Sequence, residues 1–490
     1  MSKELYIYNS LTRNKDLFQP LNAPHVGLYV CGPTVYANVH LGNCRTFMFF
    51  DVVYRYLTHL GYKVRYVRNI TDVGHITSTF DEGVDRIGQQ ARLEQLEPME
   101  IVQKYTNYFH EMMRVFNNHS PSIEPTATGH MIEQIEMIKK ILDQGFAYEV
   151  NGSIYFDVQA YRAKYPYGEL SGRNVEELYE NTRTLDGQDE KKFFADFALW
   201  KAASPEHIMR WPSPWGEGFP GWHLECSAMS TKYLGEQFDI HGGGMDLKFP
   251  HHESEIAQNT ACCGKGPVKY WMHSNMLTVN GQKMSKSLGN SFLPHELFAG
   301  DHPLLEKGFG PQVVRFFMMQ AHYRSTLDFS NEALSAAEKG YERMMAAYMA
   351  IDECKPSAQS DADTDALEAR CYAAMGDDFN TPILIAELFE AVRLINGCKN
   401  GQQALTSDQL SQLKKIMTHF LLDVMGLQTP ISEGNAELPN IMMDAVFEVR
   451  KGLKEKKDYA TSDMLRDAFS SRNIVLKDTK DGGEWTYEKK

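Results

Sequence analysis

The alternation of apolar and polar positions near the start of the chain predicts a strand, a helix and a second strand. Residues 26–32 (VGLYVCG) form a short apolar run typical of a buried strand, and 44–62 carry apolar side chains at helical spacing. Gly61 ends this helix, and 63–71 (KVRYVRNIT) again have the composition of a strand. His40 therefore falls in the turn between strand and helix, where ligands bind in open α/β sheets and helix amino ends attract anions. A histidine in such a turn can equally be exposed or a cap.

The same pattern returns further along the chain after an interruption. Helices are predicted over 93–118 and 126–150, the second ending in a turn, and the Gly- and Tyr-rich stretch 151–220 is expected to be irregular. Strand signals reappear at 236–244 and 269–279, on either side of a predicted helix. Two βαβ-like segments separated by an insertion indicate an α/β fold with a split, doubly wound, Rossmann-like parallel sheet.

Beyond about residue 313 the periodicity becomes helical. The polar stretch 355–366 predicts a loop between helices, and 458–469 predict a further helix. Residues 473–490 are expected to form a β-hairpin turning at Asp481-Gly482-Gly483. The sheet is therefore followed by a helical bundle and a small α+β C-terminal module.

Composition narrows the class of protein. At 490 residues the chain is too long to fold around a single hydrophobic core. With 43% hydrophobic and 23% charged residues, its composition is that of an ordinary globular protein. Its first residues do not resemble a signal peptide, no apolar run is long enough to span a membrane, and eight cysteines do not form a disulfide framework. We therefore expect a cytoplasmic protein with reduced thiols. The net charge of −14 argues against a general nucleic-acid coat protein, but not against RNA bound at a local basic surface.

A second stretch whose residues suggest a chemical role is NGQKMSKSLGN, residues 280–290. Lys283 and Lys286 lie three positions apart among small polar residues and glycines, after the predicted strand 269–279. A cationic loop of this kind suits the neutralisation of a departing polyphosphate. Two lysines in a loop are more commonly just a solvated basic surface, but the histidine turn upstream makes a chance match improbable.

The turn and the loop together resemble the class I aminoacyl-tRNA synthetases, which have a His-x-Gly-x turn and a KMSKS loop. Residues 221–230 (GWHLECSAMS) and 239–258 (DIHGGGMDLKFPHHESEIAQ) resemble one family of that class, the cysteinyl-tRNA synthetases. CGPTVY (31–36), NITDV (69–73) and DDFNTP (377–382) match its other motifs, so the resemblance covers essentially the whole chain. It implies ATP-dependent activation of L-cysteine to cysteinyl-adenylate and transfer to the 3′ end of tRNA(Cys).

The resemblance assigns functional residues through the motifs in which they stand. The implied catalytic residues are His40, Asn43, Lys283 and Lys286. The implied ATP-binding residues are Gly32, Thr34, His40, Asn43, Gly243 and Lys286, with Mg²⁺ accompanying the nucleotide. Thr71, Trp222 and His241 are implied to surround the substrate cysteine. One zinc ion per chain is implied, with ligands Cys31, Cys226, His251 and Glu255.

Zinc also follows from the chemistry of the substrate. A hydrophobic pocket separates near-isosteres such as cysteine and serine poorly, whereas zinc binds thiolate strongly and alcohol weakly. His251 and Glu255 lie four residues apart on a predicted helix and therefore share a face. Spacing alone leaves His252 and the vicinal pair Cys262-Cys263 open as ligands, although packing explains that pair better.

The chain departs from the family at the first motif, where His40-Leu41-Gly42-Asn43 replaces His-Ile-Gly-His. Leucine for isoleucine conserves volume. The Asn43 amide can still donate a hydrogen bond to a phosphate or ribose oxygen, but it cannot carry a positive charge. We expect activity to survive, with His40 and the lysines providing more of the charge stabilisation.

The resemblance further implies an order of domains. These are a first half of the nucleotide-binding catalytic domain (1–125), a connective insertion (126–220), the second catalytic half (221–279), a KMSKS loop and stem-contact region (280–330), a tRNA-binding helical bundle (331–430) and an anticodon-binding module (431–490). The expected partners are tRNA(Cys), L-cysteine and ATP, with no membrane, and the chain is expected to be a monomer. Two alternatives are an ATP-dependent ligase joining cysteine to a small-molecule amine and a zinc-containing RNA-binding regulator that has lost catalysis.

Overall fold

The computed structural model describes the chain in eight segments, 4–73, 86–172, 190–205, 207–285, 288–430, 438–472, 474–479 and 482–487. These segments form two compact units, Met1–Gln428 and Thr429–Lys490. Each unit has its own cluster of buried apolar side chains.

The first part of the chain contains the predicted strand–helix–strand unit. Its elements are β1 (Tyr6–Asn9), β2 (Asn14–Leu17), β3 (His25–Val30), α1 (Leu41–His59), β4 (Lys63–Arg68), α2 (Arg86–Glu94) and α3 (Pro98–Val115). Helix α1 begins three residues earlier than its apolar periodicity predicts, because His40 caps it. The helical stretch predicted over 93–118 contains the end of α2 and all of α3, and Gln95, whose φ is 58°, lies between the two helices.

The insertion is more regular than its sequence suggests. Its elements are α4 (Met131–Asp143), β5 (Ala147–Val150), β6 (Ser153–Phe156), α5 (Val158–Arg162), β7 (Phe197–Ala202), β8 (Trp211–Ser213) and β9 (Gly216–Pro220). The strands form one antiparallel sheet in the order β5-β6-β7-β9-β8. The expectation of irregular structure over 151–220 is therefore wrong. Strands of three to six residues are too short to show a clear alternation.

The second half of the catalytic sheet follows the insertion. It consists of α6 (Trp222–Leu234), β10 (Phe238–Gly244), α7 (His251–Cys263) and β11 (Val268–Ser274). Strands β11, β10, β3 and β4 lie in that order in one sheet and all pairs are parallel. The predicted split parallel sheet is confirmed, because β3 and β10 are neighbours at its centre although the whole insertion separates them in sequence.

A small sheet and a helical region complete the first unit. The elements are β12 (Leu277–Val279), β13 (Gln282–Lys283), α8 (Pro294–Ala299), α9 (Pro311–Met319), β14 (Leu327–Phe329), α10 (Asn331–Ala350), α11 (Thr364–Gly376), α12 (Thr381–Lys399) and α13 (Ser407–Met417). A π-helical segment, Thr418–Val424, extends α13. Strand β12 lies between β13 and β14, antiparallel to the first and parallel to the second. The predicted helical region is confirmed.

The second unit contains α14 (Leu438–Glu455), α15 (Tyr459–Ser470) and the antiparallel pair β15 (Ile474–Thr479) and β16 (Gly482–Tyr487). The predicted helix and hairpin are confirmed, although Asp481 of the predicted turn lies outside the described residues. Met443, Phe447 and Leu476 form the buried cluster, and Trp485 packs against it. Among the helices of the described segments, none is long and apolar enough to cross a membrane.

Candidate active site and metal cluster

Cys31 lies at the carboxyl end of the central strand β3, beside β10. Its backbone N–H donates to the carbonyl of Gly242 at 3.0 Å, which continues the sheet by one residue. The next N–H, of Gly32, donates to Asn69 Oδ1 at 2.9 Å. A Cβ atom at Gly32 would lie 1.6 Å from the Asn69 carbonyl oxygen, so only glycine allows this crossing. The Cys31 thiol is thereby held where parallel sheets bind ligands.

Helices α6 and α7 bring three further donors to this thiol. Cys226 Sγ lies 3.6 Å from Cys31 Sγ, and Glu255 Oε1 lies 3.7 Å from it. His251 Nε2, one turn before Glu255 on α7, lies 3.2 Å from the same carboxylate oxygen. All four residues are buried, and one donor atom from each lies within 4.8 Å of the others. The structure thus brings together the four residues that the family motifs suggested.

A second set of donors overlaps the first. Cys31, His241, His252 and Glu255 also place one donor atom each within 4.8 Å of one another. His252 Nε2 lies 3.3 Å from Cys31 Sγ, while its Nδ1 contacts His273 Nε2 at 2.8 Å. His252 therefore lies at the cluster, as the spacing allowed. The pair Cys262-Cys263 lies at the opposite end of α7 and is in neither set.

Burial shifts the pKa values of the cluster side chains in the direction that favours their neutral forms. Burial raises the pKa of the Cys31 and Cys226 thiols and of the Glu255 carboxyl, and burial lowers the pKa of His252. Deprotonated thiols and a carboxylate at this depth require a cation, and a bound metal reverses the effect of burial on its ligands. Two thiols, an imidazole and a carboxylate at contact distance are a fitting donor set for a metal ion of intermediate softness.

Trp222 and His241 contact residues of the cluster, and Thr71 is linked to it through Asn69. Thr71 Oγ1 donates to Glu225 Oε2 at 2.8 Å, in the buried interior. The Trp222 ring lies 4.5 Å from the ring of His251, and the His241 ring stacks on Trp271 at the same distance. His241 Nε2 also contacts Glu255 Oε2 at 2.9 Å.

Asn69 is a residue of this site that the sequence did not single out. Its Oδ1 accepts hydrogen bonds from the Gly32 N–H at 2.9 Å and from the Cys226 thiol at 3.7 Å, and its Nδ2 donates to Thr71 Oγ1 at 3.1 Å. One amide thus joins the chain beside Cys31, the second thiol and the threonine. The available signal was its place in NITDV, two residues before Thr71 at a strand end.

The histidine turn is a reciprocal helix cap. His40 Nδ1 accepts from the N–H groups of Gly42 at 3.1 Å and Asn43 at 3.4 Å, and Asn43 Oδ1 accepts from the His40 N–H at 3.3 Å. Because Nδ1 is the acceptor, the proton of a neutral His40 must lie on Nε2. The N–H of Leu41 donates to the Phe292 carbonyl at 3.1 Å. The first backbone donors of α1 are therefore all satisfied within the protein.

The remaining predicted site residues are Thr34, Gly243, Lys283 and Lys286. Thr34 pairs with Thr71 in a parallel β-bridge. Gly243 is buried in β10, and a Cβ there would lie 2.8 Å from His252 Cε1, so packing at the cluster already requires a glycine. Lys283 is exposed on β13, opposite Thr278. Lys286 lies outside the described residues.

Comparison with known proteins identifies the class. Residues 17–339 match the family model of the tRNA synthetases class I (C) catalytic domain, and residues 370–429 match the DALR domain. The chain is therefore a class I aminoacyl-tRNA synthetase. Its fold is similar to that of Mycobacterium tuberculosis methionyl-tRNA synthetase in complex with methionyl-adenylate, with a TM-score of 0.56 and 14% identity over 82% of this chain and 89% of that chain. An Agrobacterium radiobacter LeuRS in a ternary complex with tRNA and LeuAMS gives 0.57 at 10% identity, over 82% and 84%.

Curated relatives identify the family. The cysteine–tRNA ligase of Bacteroides fragilis is 56% identical over 491 residues and covers 100% of both chains. That of Porphyromonas gingivalis is 56% identical over 487 residues, 99% of each chain, and that of Chlorobaculum tepidum 46% over 495 residues, again 99% of each. This chain belongs to the cysteine–tRNA ligase, or cysteinyl-tRNA synthetase, family. The resemblance found in the sequence is confirmed.

Proposed function

We propose that this cysteine–tRNA ligase selects cysteine over serine through a zinc ion held by Cys31, Cys226, His251 and Glu255. The observation that supports this most directly is the meeting of four buried donor atoms within 4.8 Å at the carboxyl end of the sheet. When bound, zinc supplies a soft Lewis acid that prefers thiolate to alcohol by far more than a shaped apolar pocket can. Serine would be rejected because its hydroxyl is a poor ligand.

The residues around the cluster would orient the amino acid. We assign Thr71, Trp222 and His241 to the walls of the cysteine pocket, since Trp222 and His241 contact cluster residues directly and Thr71 is linked to Cys226 through Asn69. Thr71 is fixed on both sides, by Asn69 and by Glu225, so its hydroxyl has a defined direction. A substrate held at its sulfur and against these walls would present its carboxylate in one orientation, which is what in-line attack requires.

In the first step the cysteine carboxylate would attack the α-phosphorus of ATP, and pyrophosphate would leave with the bonding electrons. His40 can donate from Nε2 to a phosphate oxygen, because its Nδ1 is committed to the helix cap. Asn43 can donate from Nδ2, since its Oδ1 is used by the His40 N–H. The amides of Leu41, Gly42 and Asn43 are already paired, so these two side chains and the α1 dipole would hold the phosphates.

The rest of the nucleotide would lie along the ends of the central strands. Gly32, Thr34 and Gly243 border this region, and we assign them to ATP binding. Lys283 and Lys286 would neutralise the charge that develops on the departing pyrophosphate, together with Mg²⁺ bound to its oxygens. Lys283 is exposed and so has room to move towards the nucleotide.

In the second step a terminal ribose hydroxyl of tRNA(Cys) would attack the adenylate carbonyl, and AMP would leave. The adenylate phosphate is the proposed acceptor of the hydroxyl proton. We assign the catalytic halves to 1–125 and 221–279, the connective insertion to 126–220 and the KMSKS and stem-contact region to 280–330. The bundle 331–430 would bind the tRNA body and the module 431–490 its anticodon. The enzyme would act as a monomer in the reducing cytoplasm, in keeping with eight cysteines that are all free thiols.

The test is transfer of labelled cysteine, with serine as the control, onto a tRNA with a GCA anticodon, before and after zinc is removed by a chelator. Charging with cysteine alone, lost on chelation and restored by zinc, is the expected result. Pyrophosphate exchange without charging would instead point to the ligase of a small-molecule amine. Failure of both reactions with zinc-loaded protein would contradict the proposal and point to a regulator that has lost catalysis.

A further inference from the structure

Arg45 lies on α1, two residues after Asn43, and its guanidinium is almost fully buried. Its NH1 donates to the carbonyl oxygens of Asn275 at 2.9 Å and Met276 at 2.6 Å. Its NH2 donates to those of His322 at 3.3 Å and Ser325 at 2.6 Å. All four acceptors are backbone carbonyls, so the fork is used to join chain segments rather than to pair a charge.

The two segments joined by Arg45 lead into the small sheet that carries Lys283. Met276 is followed directly by β12, and Ser325 precedes β14 by two residues. Strands β12 and β14 are parallel and begin in register, Leu277 beside Leu327. Strand β13 pairs with the other edge of β12. Arg45 therefore ties the starting ends of both parallel strands of this sheet to α1.

The far end of the same segment is also attached to α1. The Leu41 N–H donates to the carbonyl of Phe292, which follows the lysine loop, at 3.1 Å. Thr46, next to Arg45, contacts Ser274 through the two hydroxyls at 2.7 Å. The residues on either side of the Lys283 segment, Ser274 to Met276 and Phe292, are thus attached to the first two turns of the helix that begins with the His40 cap.

We propose that Arg45 is a positioning residue for adenylate formation, which sets the lysine-bearing strand β13 against the His40 turn. This rests on the proposed role of Lys283 at the departing pyrophosphate. A guanidinium is needed because one rigid fork reaches carbonyls from two segments, whereas a lysine ammonium on a flexible stem would hold only part of them. Loss of the fork would leave both lysine loop and histidine turn present but out of register, and small displacements of reacting groups are costly.

The first test is cysteine-dependent ATP–pyrophosphate exchange by Arg45→Ala. We expect kcat to fall by about tenfold or more, while the KM for cysteine stays within about twofold because the thiol cluster is untouched. Added guanidinium ion should restore part of kcat by refilling the vacated space, and methylammonium should not. The kcat of Arg45→Lys should lie between the kcat of the unsubstituted protein and that of Arg45→Ala. An unchanged kcat, or a fall that guanidinium does not relieve in folded protein, would overturn the proposal.

Arg55 offers a matched control on the same helix. It donates to the backbone carbonyls of Asp423 at 3.1 Å and Asn117 at 2.6 Å and to the Asp51 carboxylate at 2.7 Å, and none of these partners leads into the small sheet that carries Lys283. Arg55→Ala should therefore lower the melting temperature while leaving the exchange kcat within about twofold and insensitive to guanidinium. An equal loss of kcat in both variants would mean that Arg45 acts only through the stability of α1.

A double-mutant cycle separates this proposal from the one on which it rests. If Arg45 acts through Lys283, the double variant Arg45→Ala, Lys283→Ala should be hardly slower than Lys283→Ala alone. If the fold losses of the two single variants multiply in the double variant, Arg45 acts elsewhere. If Lys283→Ala by itself leaves exchange unchanged, the role of the lysine fails whatever Arg45 does.

Discussion

The donor cluster of Cys31, Cys226, His251 and Glu255 and the side chains proposed to bind the nucleotide are built differently. Cys226, His251 and Glu255 are buried on two 13-residue helices, so their donor atoms are positioned by packing before any ligand binds. On the nucleotide side, His40 is only half-buried and Lys283 is exposed on a two-residue strand. Under the proposed roles, the groups that bind sulfur are preorganised, whereas Lys283 would still have to move towards the phosphates.

This difference leads to different sensitivities. A buried cluster of ligands fails as a unit, because removing one donor leaves the others with uncompensated charge in the interior. The side chains proposed to bind the nucleotide would act individually on a partly solvated ligand, so each should contribute a graded amount. Substitutions in the two regions should therefore differ in size as well as in the step affected.

The largest effect is expected for Cys226→Ser. The hydroxyl has nearly the same size but is a poor ligand, so the chain should lose its metal and the rate of cysteine-dependent exchange should fall by about a thousandfold or more. Metal content per chain, measured on the purified protein, checks the cause. Cys262→Ser is the matched control, since this half-buried thiol lies outside the cluster. Full metal content with unchanged activity in Cys226→Ser would break the comparison.

An intermediate effect, on stability, is expected for Asp51→Asn in the body of α1. Burial alone would raise the pKa of Asp51, but the charges of Arg315 and Arg55 and hydrogen bonds from His119 hold it well below its usual range. Removing this buried partner charge should cost roughly 3 kcal/mol in the free energy of unfolding at neutral pH. The exchange rate at low temperature should change much less, because neither region of the site loses a side chain.

The direction of this pKa shift predicts how the stability difference between the unsubstituted protein and Asp51→Asn depends on pH. A carboxyl with a depressed folded pKa stabilises the protein above its unfolded pKa of about 3.9, and this contribution is lost as the pH falls towards the folded value. The difference between the two proteins in urea unfolding should therefore be constant from about pH 7 to 5 and narrow below about pH 4. A difference that widens with acid would contradict the assignment. Asp352→Asn, at an exposed ion pair with Lys414, should show almost no difference.

The smallest effect is expected for Asn43→Ala. The variant would lose a proposed phosphate donor together with the acceptor of the His40 N–H, so adenylate formation should slow by more than about tenfold while metal content stays complete. Asn43→His, which restores the side chain usual in the family, should retain activity. Rapid-quench measurement of adenylate formation distinguishes these outcomes, and an unchanged rate in Asn43→Ala would rule out a role for this residue.

The catalytic sheet was predictable from sequence because β3 and β10 are apolar runs and the 19 residues of α1 are enough to show helical periodicity. Sequence missed the sheet of the insertion, whose strands are short. Helical spacing was enough to pair His251 with Glu255. The packing of α6 on α7 decides that Cys226 joins them and that Cys262 does not.

Two buried polar residues were not singled out from the sequence for a common reason. Asn69 and Arg45 contact atoms from segments far away in sequence, and all four acceptors of Arg45 are backbone carbonyls that any residue would offer. No spacing rule connects such positions. Only the tertiary structure shows what they join.

The most direct test of the account is X-ray absorption at the zinc edge of the metal-loaded protein, without substrate, with cysteine and with serine. Two sulfur neighbours, from Cys31 and Cys226, should rise to three when cysteine is added and remain two with serine. A single sulfur neighbour before substrate is added would assign the ion to the overlapping set with His241 and His252. A count that does not change with cysteine would contradict the claim that the metal reads the substrate thiol.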